Sequence, residues 1–325
     1  MTAFWVFLIG LLATIGGAEL LVRGGTRLAA RLGISPMVIG VTVVSIGTST
    51  PELAIGIDSA LQGSGSLALG NIVGANTLNL LLVMGLAALI RPLTLRSQAL
   101  RLDLPVMVAA AVLVFAVAID GVVTRLDGVV LLALGLLYTI LVVRAARRET
   151  VATRAEFERE FGGPRVRTVA SSRRTIRDAV WLVAGIGIIV VGADWLVSGA
   201  VDLARGLRVS EAVIGLTIVA IGTTAPELVT AIVATVRRER DIAVGNLIGS
   251  SIYNIGLILG TTSVVAVGGI RVDPDLLWVG LPVMVAATVA TALAFLTGGR
   301  MRRPEGAVFV VAYVAYLGTF VFLRT

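Results

Sequence analysis

The chain alternates long apolar stretches with short polar connections. Ten apolar segments stand out, at roughly 3–22, 36–61, 67–90, 102–119, 127–145, 178–199, 211–236, 242–268, 276–297 and 306–323. Runs such as Met107–Ile119, Val129–Val143 and Ala307–Leu323 contain no charged residue. They reach or approach the ~20 residues that a helix needs to cross a bilayer. None shows the in–out alternation of a barrel strand, which excludes a β-barrel. The pattern predicts an all-α integral membrane protein of ten transmembrane helices. The first segment has neither a basic leader nor a convincing cleavage site, so it reads as the first membrane helix.

Composition and charge agree with this picture. Of 325 residues 57% are apolar and 14% charged, too few charges to cover a soluble surface. With no Cys and no His, disulfides, thiol redox chemistry and the usual zinc or copper sites are excluded. All 27 basic residues are arginine, and 22 of them fall on one side if the N-terminus is placed outside. The positive-inside rule then puts both termini outside and the charged 146–177 linker in the cytoplasm. The net charge of +7 is thereby mostly a topological bias, with no nucleic-acid partner implied.

The chain repeats itself. Residues 40–85 align without a gap on residues 215–260 at an offset of 175, with 17 identities over 46 positions. The same offset brings Gly17-Ala18-Glu19 onto Gly192-Ala193-Asp194. Each half holds five segments, an odd number, so the second half must enter the membrane the other way up. The expected organisation is 1–145 as one five-helix repeat, 146–177 as a linker and 178–325 as the inverted second repeat. The repeat motifs occupy 36–90 and 211–268. Inverted repeats of this kind place a transported substrate near the bilayer midplane, between the halves.

The chemistry sits in the repeated motifs. Gly47-Thr48-Ser49-Thr50-Pro51-Glu52 matches Gly222-Thr223-Thr224-Ala225-Pro226-Glu227. Each proline removes a backbone donor and is expected to free carbonyls around Gly47 and Gly222. Each glutamate follows at bilayer depth, where an ionised carboxylate costs at least ~2.5 kcal/mol unless a cation offsets it. One segment later, Gly70-Asn71, Gly74-Ala75-Asn76 and Asn79 match Gly245-Asn246, Gly249-Ser250-Ser251 and Asn254. The glycines are expected to let helices approach closely. Asn79 and Asn254 lie where they can present amide oxygens to the glutamates. Carboxylate, hydroxyl, amide and carbonyl oxygens form a hard-cation set suited to Ca²⁺ or Na⁺. Two carboxylates balance one Ca²⁺ or two Na⁺. The weaker acids read differently: Glu19 and Asp194 as helix-end polarity, Asp103 as a cap or a partner of Arg101, and Asp58 as unpartnered, because its counterpart is Val233.

With these residues in hand, the chain resembles the cation/Ca²⁺ exchanger superfamily, specifically the prokaryotic Na⁺/Ca²⁺ exchangers. The resemblance covers nearly the whole chain. It implies ion ligands at Thr48, Ser49, Glu52, Thr223, Thr224 and Glu227, completed by Asn79, Ser250 and Asn254. It also implies that helices 1 and 6 move as a gating pair. Two positions depart from the usual pattern: Ala75 stands where the first repeat usually has Ser, and Asn254 where the second often has Asp. The expected function is Na⁺/Ca²⁺ antiport in a plasma (inner) membrane, with no cofactor, no enzymatic reaction and no protein partner. H⁺/Ca²⁺ exchange on the same glutamates is the alternative. A cation channel needs no inverted repeat, and a non-transporting membrane protein would tolerate Glu52→Gln.

Overall fold

The computed structural model describes residues 2–95, 99–161, 172–207 and 220–322. The middle of the expected 146–177 linker and the first part of the 211–236 segment lie outside the described residues. Helix α1 spans Thr2–Leu32. Ser35 then accepts from the Met37 N–H at 3.2 Å, and Pro36 opens α2, Pro36–Thr48. A proline at the start of a helix forfeits a donor that would be unpaired there anyway. Helix α3, Thr50–Leu61, follows at a 42° bend. The first half continues with α4, Gly65–Ile90, α5, Arg101–Ala118, and α6, Arg125–Phe161.

The second half repeats the theme with α7, Ser172–Gly206, α8, Ala220–Thr223, and α9, Ala225–Val236. It ends with α10, Arg240–Val265, α11, Leu276–Leu296, and α12, Arg303–Phe322. Among the described residues, seven helices are long and apolar enough to cross a membrane, eight if the bent α2–α3 pair counts as one span. Large apolar side chains such as Phe4, Trp5, Leu136, Val183 and Val311 are exposed, as a lipid-facing surface requires.

The centre of the bundle is α4 and α10. Of the α10 span 94% is buried inside the protein, and of α4 78%, against 28% for α6 and α7. Both central helices carry a wide π-type turn, at Leu78–Val83 and Asn254–Leu259. Two-residue antiparallel ribbons tie the halves together at their connections. Leu93 and Thr94 pair with Met301 and Arg300, and Val122 and Val123 with Arg271 and Ile270.

Helices α1 and α7 run antiparallel and pack backbone to backbone. Glycine recurs every seventh residue in both, as Gly10, Gly17 and Gly24 and as Gly185, Gly192 and Gly199. A Cβ on Gly185 would lie 2.5 Å from Leu21 N, and one on Gly10 would lie 2.3 Å from Leu196 N. Only glycine allows this approach, and it replaces side-chain interdigitation with long backbone contact. The Arg31 guanidinium also pairs with Asp178 across the two helices. The pair is thus one rigid body.

The expected packing glycines in the central helices are half described. Gly245 and Gly249 press on α2, where added Cβ atoms would meet Met37 O at 2.8 Å and Val41 O at 2.5 Å. An added Cβ on Gly70 or Gly74 meets none of the described residues within 4 Å, and residues 212 and 216, the repeat counterparts of Met37 and Val41, lie outside the described residues. Gly185→Leu is expected to destabilise the protein by at least about 2 kcal/mol, since the leucine meets backbone that cannot move aside. Gly187→Leu, whose side chain meets open space, should be near neutral. Thermal unfolding in detergent checks the difference, and equal melting of the two variants contradicts the rigid-pair reading.

Candidate ion-binding site

Each repeat breaks its helix two residues before the Pro-Glu pair. Ser49 (φ −84°, ψ 13°) separates α2 from α3, and Thr224 (φ −96°, ψ 10°) separates α8 from α9. The cause is local: Pro51 and Pro226 have no N–H to offer the carbonyl four residues earlier. One expectation is corrected here. The Gly47 carbonyl is occupied, because the Thr50 hydroxyl donates to it at 2.8 Å. In the second repeat Ala225 stands in that place and has no hydroxyl to give.

The break puts Glu52 and Glu227 in the first turns of α3 and α9. A helix N-terminus carries partial positive charge, which favours a carboxylate there. Both glutamates are nonetheless fully buried. Both Glu52 oxygens and Glu227 Oε2 have no hydrogen-bond partner. The two carboxyls repel one another when both are ionised. Across the repeats, Ser49 Oγ donates to Glu227 Oε1 at 3.1 Å. The Thr48 and Ser250 hydroxyls lie near the same carboxyl, although Ser250 Oγ completes no hydrogen bond.

The asparagines occupy equivalent π turns of α4 and α10. Asn79 is fully buried, and neither its amide nitrogen nor its oxygen is paired. Asn254 donates through Nδ2 to Asn76 Oδ1 at 3.0 Å and leaves its own Oδ1 unpaired. Of the nine expected ligands, Glu52, Glu227, Thr48, Ser49, Thr224, Asn79, Ser250 and Asn254 are buried. The structure groups Glu52, Thr48, Ser49 and Ser250 around Glu227. Thr224 turns its hydroxyl to Ile221 O at 3.2 Å. Thr223 is half-buried and lines a cleft instead.

Three contributors escaped the motif reading. Asn246 accepts from Thr48 Oγ1 at 3.1 Å, and Ser45 Oγ donates to Asn246 O at 2.9 Å. Asn76 bridges Asn254 and, at 3.1 Å, the Ser251 carbonyl. An amide in an otherwise apolar helix was the available signal. The weaker acids also need correction. Glu19 and Asp194 lie mid-helix in α1 and α7, not at helix ends. Asp103 makes no cap. It accepts from the Tyr138 hydroxyl at 3.0 Å. Asp58, which has no acidic counterpart in the second repeat, accepts from its neighbour Gln62 Nε2 at 2.7 Å.

A cleft of about 410 Å³ opens beside this cluster, lined by residues including Pro51, Ile55, Asp194, Val197, Thr223 and Pro226. Pro51 and Pro226 are the residues that immediately precede the two glutamates. A buried, underpaired polar cluster inside a bundle of membrane helices, with a cleft beside it, defines a multi-pass membrane transport protein.

Comparison with known proteins carries this further. The sequence pattern of the family described as "Sodium/calcium exchanger protein" matches residues 2–144 and 178–322. The inner membrane protein YrbG of Escherichia coli is 39% identical over 277 residues, covering 83% of this chain and 81% of that protein. The sodium/calcium exchanger MaX1 of Methanosarcina acetivorans is 31% identical over 341 residues, covering 97% of each. The solved structure of the sodium–calcium exchanger NCX_Mj superimposes with a TM-score of 0.83 at 28% identity, covering 97% of this chain and 98% of that one. The chain belongs to the sodium/calcium exchanger family, membrane antiporters that exchange cations against Ca²⁺.

The cost of the buried carboxylates generates a test. A buried polar group without a partner costs ~1–3 kcal/mol, more when charged. Glu52→Gln removes charge and repulsion while keeping shape. It is expected to raise the melting temperature of the ion-free protein by about 2–4 °C and to abolish the rise that Ca²⁺ gives the parent. A variant that melts lower than the parent without ions would show Glu52 to be a structural hydrogen-bonding group.

Proposed function

We propose that the protein exchanges Na⁺ for Ca²⁺ by alternating access, at one central site built on Glu52 and Glu227. The observation that carries this reading is the pair of fully buried carboxylates, one from each half, with three of their four oxygens unpartnered. Thr48, Ser49, Asn79, Ser250 and Asn254 supply neutral oxygens around them, and Thr223 and Thr224 add hydroxyls at the edge. Among the described residues no group of three or more His, Cys, Asp or Glu side chains gathers as a transition-metal site would require. The ligand set suits hard cations that accept carboxylate, hydroxyl and amide oxygens.

Charge balance supplies the coupling. An empty site holds two negative charges in a medium that solvates them poorly, so reorientation without cargo is disfavoured. One Ca²⁺ neutralises the pair, and two Na⁺ do the same. Each occupancy excludes the other, and either permits the loaded site to change sides. A site that crosses loaded in both directions is an antiporter.

The architecture we propose has ten membrane spans. Residues 1–145 and 178–325 form two inverted five-helix repeats, and 146–177 is a cytoplasmic linker. Beyond the seven or eight long apolar helices, α12 and the short α9 with the segment before it complete the count. The antiparallel packing of α1 on α7 supports the inversion. So do the ribbons, each of which joins a connection of one half to a connection of the other. The arginine distribution supports a plasma-membrane orientation with both termini outside. No cofactor or protein partner enters the cycle.

The test is ⁴⁵Ca²⁺ uptake into proteoliposomes loaded with Na⁺, against vesicles that carry a proton gradient and no Na⁺. Uptake is expected to require internal Na⁺, and to fall at least about 100-fold in Glu52→Gln and in Glu227→Gln, on the order of 3 kcal/mol per lost charge partner. Uptake driven by protons alone would move the chemistry to H⁺/Ca²⁺ exchange, with the same glutamates as proton carriers.

A further inference from the structure

Glu19 and Asp194 are repeat counterparts in the rigid α1–α7 pair, yet their surroundings differ. Glu19 is clamped. Arg237 Nε donates to its Oε2 at 2.8 Å, and Arg237 Nη2 lies 2.6 Å from its Oε1. Arg23 Nε, one turn along α1, lies 2.5 Å from the same Oε1. Arg237 caps the C-terminal end of α9, the helix that carries Glu227 in its first turn. One hydrogen bond from Arg237, to Oε2, and its close ion-pair contact at Oε1 therefore tie the α1–α7 body to a helix of the ion site.

Among the described residues the other face has no such tie. The offset of 175 turns Glu19, Arg23 and Arg237 into Asp194, Ser198 and Gln62. Neither arginine has a basic counterpart. Asp194 is exposed and lines the cleft, without an ion pair among the described residues. Gln62 turns instead to Asp58.

The end of α9 is built to hold Arg237 in place. Its next residue, Arg238, adopts φ 68°, where the first repeat has Gly63 at φ 74°. Both helices close with the same hydrogen bonds: Glu239 N to Ala234 O at 2.8 Å, and Ser64 N to Ser59 O at 2.8 Å. A left-handed backbone is free for glycine and strained for arginine, and such strain gathers where geometry serves function.

The geometry points to a one-sided latch. The Glu19–Arg237 pair holds the transport path shut on the Arg237 face, so the resting protein is open at the Asp194 cleft. This rests on the alternating-access reading above. Movement of α1–α7 relative to α9 must break the pair before the Arg237 face opens. The opposite face closes without breaking or making an equivalent one. The latch thus sets the equilibrium between the two orientations while touching no transported ion.

The chain has no cysteine, so single-cysteine reporters read each face directly. Ile55→Cys reports the cleft. Thr230→Cys reports its repeat counterpart on the other face, fully buried in this conformation. In lipid nanodiscs without Na⁺ or Ca²⁺, a water-soluble maleimide should label Ile55→Cys quickly and Thr230→Cys slowly. Adding Arg237→Gln is expected to speed Thr230→Cys labelling about three- to fivefold, the size of a partly exposed ion pair. It should not speed Ile55→Cys labelling, which general loosening would. The exchanged pair Glu19→Arg with Arg237→Glu should restore slow labelling.

Unchanged Thr230→Cys labelling in folded Arg237→Gln protein would overturn the latch, as would failure of the exchanged pair to restore protection. Because no transported ion is present, the latch stands or falls apart from the exchange reading. Shifted labelling in a protein without Na⁺-dependent flux would sink that reading alone.

Discussion

Two carboxylates, Glu52 and Glu227, sit fully buried within a membrane bundle, and among the described residues no basic side chain pairs with them. A soluble protein would protonate, pair or expose such groups. Here the helix breaks, the π turns and the tightly packed central helices hold them together. The breaks at Ser49 and Thr224 start new helices under the glutamates, whose N-terminal dipoles lower part of the burial cost. The same breaks send hydroxyls across the repeat boundary, as when Ser49 meets Glu227. The remaining electrostatic deficit is what supports the proposed cation site.

Under the proposed cycle the halves divide into parts that hold and a part that slides. The central helices α4 and α10 are the most enclosed elements and carry the asparagines. The α1–α7 pair lies at the side, welded along its length by glycine every seventh residue. Contacts that bury backbone against backbone make a stiff rod, which in the proposed cycle moves as a unit. The Arg31–Asp178 pair lies within that rod, so it survives such a movement. The Glu19–Arg237 pair crosses its boundary and does not.

Much of this was legible in the residues. The apolar runs announced the membrane, and the gapless offset of 175 paired Glu52 with Glu227 before any coordinates. Spacing alone misled where tertiary contact decided the outcome. Thr50 occupies the Gly47 carbonyl that Pro51 leaves without a donor, a local bond that composition does not reveal. Glu19 reads as helix-end polarity because it lies near the end of the first apolar segment, 3–22. The helix instead continues to Leu32, and Arg237 comes from 218 residues away. Asn246 and Asn76 sit in the repeated motifs, and what each one bonds depends on which helix lies opposite. The heptad glycines carry no motif signature until a second helix is laid against them.

The central claim is that Glu52 and Glu227 form one site for which Ca²⁺ and Na⁺ compete. Equilibrium dialysis of ⁴⁵Ca²⁺ against the purified protein, over a series of Na⁺ concentrations, tests it most directly. The account predicts one Ca²⁺ per chain, displaced by Na⁺ with a dependence steeper than first order, because two Na⁺ replace one Ca²⁺. Ca²⁺ binding indifferent to Na⁺, or retained in full when both glutamates are changed to glutamine, would contradict it.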